Sequence, residues 1–164
     1  MRNVSLFAVL CCALLAACEK SASAPTPSAA ASPTPVPVEK RAEPKTPAIE
    51  DTTFKLALAG EPSYAAGQAG VVKLSLEARG GYHVNQDYPI RVDLKGPSGL
   101  KLPKPSLSRA DAAEFGEHQA RFELPFTGEQ QGAHELTATV DFAVCTKETC
   151  VPDQRTVALN VQVK

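Results

Sequence analysis

An all-β fold, an antiparallel sandwich of two sheets, follows from three features of this sequence. The first is alternation. Leu136, Ala138, Val140, Phe142 and Val144 alternate with Glu135, Thr137, Thr139 and Asp141. Val157, Leu159, Val161 and Val163 alternate in the same way with Thr156, Ala158, Asn160 and Gln162. A period of two places successive side chains on opposite faces, as a half-buried strand requires. The second feature is punctuation, because short apolar runs from Phe54 onward are separated by Gly- and Pro-rich breaks. The third is that no stretch sustains a helical period over three turns. Roughly seven short strands of this kind suit the immunoglobulin-like version of the sandwich.

Taken in order, Phe54–Leu58 reads as the first strand, and Gly67 to Gly70 as a turn before a second strand, Val71–Ala78. Gly80-Gly81 breaks the chain ahead of Tyr82-His83-Val84. Ile90–Leu94 precedes the turn-rich Gly96 to Gly99, Ala120–Phe126 follows, and Gly128 to Gly132 lead into the two alternating strands above. Those two are joined by Cys145-Thr146-Lys147-Glu148-Thr149-Cys150, short enough for antiparallel pairing with one cysteine at each mouth. Directly opposed residues have Cβ atoms about 4.5–5.5 Å apart, close to the roughly 3.5–4.5 Å of a disulfide. Cys145–Cys150 is therefore expected to be a cross-hairpin disulfide.

Composition narrows the function. Lysine and arginine total 17 against 18 aspartate and glutamate, which gives no basis for a nucleic-acid partner or a strongly charged substrate. The chain has no tryptophan, and 5% of its residues are aromatic, as suits a small β domain with an aliphatic core. Its 164 residues allow one ordinary domain and appendages.

The appendages are at the N-terminus. Arg2 followed by the apolar run Val4 to Ala17 has the form of an export signal, too short for a permanent membrane span. Leu15-Ala16-Ala17-Cys18 matches the bacterial lipobox, so residues 1–18 are expected to be a lipoprotein signal peptide with Cys18 as the lipidated residue. The rival is ordinary secretion with cleavage after a small residue. Residues 19–50 hold seven of the 14 prolines among alanine, serine and threonine, and are expected to be a disordered tether. The folded domain is expected over 51–164. The expected location is the cell envelope, periplasm-facing, on the inner or outer membrane.

Export also bears on the disulfide. An isolated cysteine pair in an exported protein is a disulfide more readily than a metal site. Whether it is a staple or a reagent stays open on the residues alone. Closing so short a loop contributes only about 2 kcal/mol on chain-entropy arithmetic, and exposed disulfides tend to be the labile ones. Many hairpin disulfides are nonetheless inert.

Three stretches are similar to the N-terminal periplasmic domain of DsbD, the thiol:disulfide interchange protein. Gly81-Tyr82-His83-Val84-Asn85, followed by Tyr88-Pro89, resembles that family's aromatic strand. Ala113-Glu114-Phe115-Gly116 falls where the family has a cap loop over the active disulfide. Asp141 to Pro152, with Cys150-Val151-Pro152 at its end, resembles the family's cysteine hairpin. The resemblance covers residues 53–164 and implies an immunoglobulin-like sandwich. It implies that Cys150 forms the mixed disulfide with a partner thiol, that Cys145 resolves it, and that Phe115 shields the pair. It also implies thioredoxin-like or DsbD-type redox partners. One departure is the four residues between the cysteines, where the best-known members have five.

The resulting expectation is a stand-alone, lipid-anchored module that relays reducing equivalents between a membrane or thioredoxin-like donor and periplasmic clients. It is expected to be monomeric, to use no cofactor and no metal, and to meet the membrane only through Cys18. The competing expectation is a non-catalytic immunoglobulin-like binding or accessory module whose hairpin disulfide is structural. Asp141 and Glu114 are candidate proton acceptors near the disulfide or plain surface carboxylates. Tyr82 and Tyr88 are candidate supports, and His83 reads as a strand residue beside them. Lys147 stands between the cysteines, either as a helpful charge or as part of a solvated turn. No phosphate loop, nucleophile–base motif or paired-carboxylate signature is present.

Overall fold

The computed structural model describes residues 46–164. The expected signal peptide, Cys18 and most of the expected tether lie outside the described residues. The elements are β1 (Ala48–Glu50), β2 (Phe54–Ala59), β3 (Ala69–Ala78), β4 (His83–Val84), β5 (Arg91–Lys95), β6 (Leu100–Lys101), β7 (Ser106–Ser108), β8 (Ala112–Phe115), β9 (Gln119–Gly128), β10 (Gly132–Cys145) and β11 (Cys150–Val163). One sheet runs β1-β2-β3-β9-β6 with β8 also on β9, and the other runs β11-β10-β5-β7 with β4 also on β10. All the strand ladders are antiparallel. Among the described residues the helical content is a single 3-10 turn, Arg109–Asp111. The fold is the expected all-β, two-sheet antiparallel sandwich.

Alternation explains the core. In β10 the even-numbered Leu136, Ala138, Val140, Phe142 and Val144 are all buried against the other sheet. The facing residues include Leu56, Leu74, Phe122 and Leu124. Phe142 meets Phe54 of the opposite sheet edge-to-face, with ring centroids 4.8 Å apart. At the other end Tyr64 packs on Phe126 at 4.8 Å and donates its hydroxyl to the Val71 carbonyl at 2.9 Å. A buried ring with a satisfied polar tip is the economical way to close the end of such a core.

The folded part begins earlier than expected. Ala48–Glu50, inside the segment assigned to the tether, pairs with Lys55–Ala57 of β2. Leu58 N–H donates to Pro47 O at 2.7 Å and Ala158 N–H to Thr46 O at 2.8 Å. A three-residue edge strand directly after Pro47 carries too little alternation to stand out from the proline-rich run before it. The turn after it is held by Asp51, whose carboxylate accepts from the Thr53 N–H at 3.2 Å and from the Thr52 and Thr53 hydroxyls. The Thr53 N–H, helped by the hydroxyls and the Arg155 charge, holds the Asp51 carboxyl below the usual carboxylate range.

The turn that delivers β4 depends on glycine. Gly80 sits at φ +62°, and a Cβ there would lie 2.5 Å from the Thr52 carbonyl oxygen. Both the left-handed backbone and the close carbonyl exclude a side chain. Gly80→Ala is expected to destabilise the protein by about 1–3 kcal/mol in chemical denaturation. Gly81→Ala, at φ +81° with open space around its Cβ, should cost less.

Candidate redox site at the end of the cysteine hairpin

The long β10–β11 hairpin keeps its register from Gly132↔Val163 to Cys145↔Cys150. Pairing to the last residue sets the two cysteines directly opposite, with Cα atoms 4.0 Å apart and a Cys145–Cys150 disulfide. The turn beyond is closed by Thr146 N–H donating to Thr149 O at 2.8 Å. The Thr146 hydroxyl oxygen accepts from the N–H groups of Glu148 and Thr149, both at 3.2 Å. Lys147 and Glu148 are exposed on that turn.

The two sulfurs are not equivalent. β10 lies between β11 on one side and β4 on the other, so Cys145 is flanked on both sides and is 2% exposed. β11 is the edge strand here, and Cys150 is exposed, as are its neighbours Val151 and Pro152. Val151, 42% exposed, is one of two large hydrophobic residues so exposed among the described residues. Of the two cysteines, Cys150 is therefore the one that solvent reaches.

A second strand contributes to the site. The β4 register puts His83 opposite Cys145 and Val84 opposite Val144. The chain continues in step, with Asn85 N–H donating to Ala143 O at 2.9 Å. By alternation His83, Asn85, Ala143, Cys145 and Cys150 share one face. Asn85 Nδ2 reaches across the small Ala143 side chain and donates to Cys150 Sγ at 3.5 Å. Asn85 Oδ1 meanwhile accepts from Asp87 N–H at 2.8 Å and Tyr88 N–H at 3.2 Å.

The β8–β9 hairpin comes up beside β4. Val84 N–H donates to Glu117 O at 2.7 Å, and Gly116 N–H to Gln119 O at 2.9 Å. Phe115 is half-buried against the core edge, and the Arg109 guanidinium covers its ring at 4.9 Å from the centroid. Arg109 also donates to Gln86 O at 2.6 Å, tying the Phe115 ring to the segment that carries Asn85. Glu114 is occupied within its own hairpin, accepting from Gln119 Nε2 at 2.7 Å and pairing with Arg121.

Of the expected site residues, Cys145 and Cys150 are joined, whereas Tyr88 meets the site through its backbone N–H, which donates to Asn85 Oδ1, and lines a separate cleft with Arg91 and Asp141. Tyr82 is half-buried against the core at the start of the β4 segment. Phe115 is one strand away, where the loop that follows it meets β4. Asp141 is not brought to the disulfide. It lies four residues down β10, about 13 Å along the strand. There it accepts from Gln154 Nε2 at 2.5 Å and faces Arg91 Nε at 3.6 Å. Asn85 and Arg109 escaped the sequence reading. Asn85 ends the stretch Gly81-Tyr82-His83-Val84-Asn85, but an asparagine three residues before a tyrosine signals only a turn.

The arrangement defines a class: a two-sheet β-sandwich with, among the described residues, one asymmetric disulfide across the turn end of a hairpin. The family model described as thiol:disulfide interchange protein DsbD, N-terminal, matches residues 50–162, and the chain belongs to that family. No curated protein matches the chain. Among solved structures it is similar to the CARDB domain of a Pyrococcus furiosus protein, at 17% identity over 68% of this chain and 94% of that one, with a TM-score of 0.42. A crystal structure of that CARDB domain in complex with di-metal ions gives 16% identity over 70% and 97%, with a TM-score of 0.43. The GAE domain of GGA2p from Saccharomyces cerevisiae gives 12% identity over 68% and 95%, with a TM-score of 0.43.

Proposed function

We propose that this chain is a thiol:disulfide exchange module of the bacterial cell envelope, held to a membrane by lipidated Cys18. It relays reducing equivalents between a membrane or thioredoxin-like donor and periplasmic clients through Cys145 and Cys150. The observation that carries this reading is the unequal exposure of the two sulfurs. A purely structural bridge gains nothing from exposing one sulfur on an edge strand while its partner is 2% exposed. An exchange site gains direction from it. Cys150 is the atom attacked and the atom that attacks, and Cys145 resolves the mixed disulfide from within.

Family membership supports the reaction class and thioredoxin-like redox proteins as partners. The lipobox Leu15-Ala16-Ala17-Cys18 supports the anchor and the envelope location. The half-buried Phe115, clamped by Arg109, is placed in this reading as the shield that slows attack by non-partner thiols. The test is trapping: with Cys145 replaced by serine, a thioredoxin-like partner should be held on Cys150 as a mixed disulfide. Failure to capture any such partner, under conditions where the partner exchanges with its own substrates, would argue for the structural alternative.

A further inference from the structure

Asn85 is held as few surface amides are. Its own N–H donates to Ala143 O at 2.9 Å, which fixes its backbone against β10. Its Oδ1 accepts two backbone N–H groups, from Asp87 at 2.8 Å and Tyr88 at 3.2 Å. Two N–H donors demand the oxygen of the amide and exclude its nitrogen, so the amide orientation is settled by its partners. Its Nδ2 is thereby aimed at Cys150 Sγ, 3.5 Å away. Ala143 lies between them, and its methyl group is small enough to let the amide across.

We propose that Asn85 is a positioning residue that holds the Cys150 sulfur as a thiolate whenever exchange places a negative charge there. This rests on the exchange reading above and deepens it. In the reductive direction the Cys150 thiolate attacks one sulfur of a client disulfide. The Cys150–client bond forms, the client S–S bond breaks, and the client's other sulfur leaves as a thiolate. The Cys145 thiolate then attacks Cys150 Sγ, the Cys145–Cys150 bond forms, and the client departs as a dithiol. The client has gained two electrons and this chain has lost them. On recharging, a donor thiolate attacks Cys150 Sγ and displaces Cys145. The donor's second thiolate next attacks the donor sulfur, and Cys150 leaves as a thiolate.

Cys150 thus bears the charge twice per cycle, once as nucleophile and once as leaving group. A fixed neutral donor stabilises that charge without adding one of its own, and a hydrogen bond to a charged group exceeds one between neutral groups. The other groups near this sulfur do not substitute for it. His83 faces Cys145 in the register, whereas Lys147 and Glu148 are exposed on the turn.

The experiment follows iodoacetamide alkylation of Cys150 against pH, in the full chain carrying Cys145→Ser, read at the Cys150 peptide by mass spectrometry. Asn85→Ala is expected to raise the midpoint of the profile by about one pH unit, a roughly tenfold smaller thiolate population near neutrality. Asn85→Asp keeps the acceptor for Asp87 and Tyr88, and so the turn, but removes the donor; its midpoint should rise at least as far. A rise in the alanine variant with an unmoved midpoint in the aspartate variant would assign Asn85 to turn structure alone and overturn the proposal. A rise in the aspartate variant alone would assign the effect to the added charge and also overturn it. Should the alanine variant not fold, an unmoved aspartate midpoint still refutes the donor role; a rise that persists in about 1 M salt, where the added charge is screened, supports it, and a rise that salt abolishes overturns it. Iodoacetamide needs no redox partner, so a failure of partner trapping and a failure of this inference are read separately.

Discussion

Replacing Cys145 by serine is expected to turn the chain into a covalent trap, and replacing Cys150 by serine is expected to abolish trapping. The two variants differ by five positions in sequence and by one side of a disulfide, yet their outcomes should be opposite. In the first, exposed Cys150 forms the mixed disulfide, and no internal thiolate remains to attack it. In the second, the surviving thiol is that of Cys145, 2% exposed between β11 and β4, where a protein partner cannot align a disulfide for in-line attack. Non-reducing electrophoresis after incubation with an oxidised thioredoxin-like partner reads both. Equal trapping through either cysteine would contradict the assignment of roles.

Phe142→Ala should carry the largest cost in stability, about 3–5 kcal/mol, because it deletes a fully buried ring near the cysteine end of β10. Its edge-to-face contact with Phe54 joins the two sheets, so the cavity would open at the sandwich interface. Against a total of roughly 5–15 kcal/mol for a domain, the melting temperature should fall by about 10 °C or more. Thermal and urea unfolding measure it. A cost below about 1 kcal/mol would mean that the sheets do not meet at this ring. The same strand ends in Cys145 three residues on, so a loosened Phe142 should also loosen the register that sets the cysteines opposite each other.

The sandwich was legible where strands are long and half-buried. β3, β9, β10 and the second half of β11 announce themselves by alternation, and the hairpin disulfide follows from the register of the last two. The first half of β11 was not legible as strand, because Cys150-Val151-Pro152-Asp153-Gln154 lies on an exposed edge and holds no buried apolar residue. Nor were β1, β6 and β7, which have two or three residues each. The stretch that resembles the family's cap loop includes most of β8, a short strand hidden from sequence patterning because it pairs with β9 through a bulge between Ala112 and Glu114. Within the site, the cysteines were legible because their chemistry is distinctive. Asn85 and Arg109 were not, since their roles arise from contacts across 65 and 23 residues of sequence. Asp141 takes the second of its two expected roles, a surface carboxylate with Gln154 and Arg91, because four residues along an extended strand carry it away from Cys145.

The reduction potential of the Cys145–Cys150 pair tests the central claim most directly. It is best measured by equilibration with a thiol buffer in a fragment spanning residues 40–164, which keeps β1 and every other described strand. A relay requires a disulfide that partners can both reduce and re-form, so the value should fall between roughly −120 and −270 mV, the range of exchange proteins. A value below about −300 mV is that of a structural bond, and it would contradict the exchange function while leaving the fold untouched.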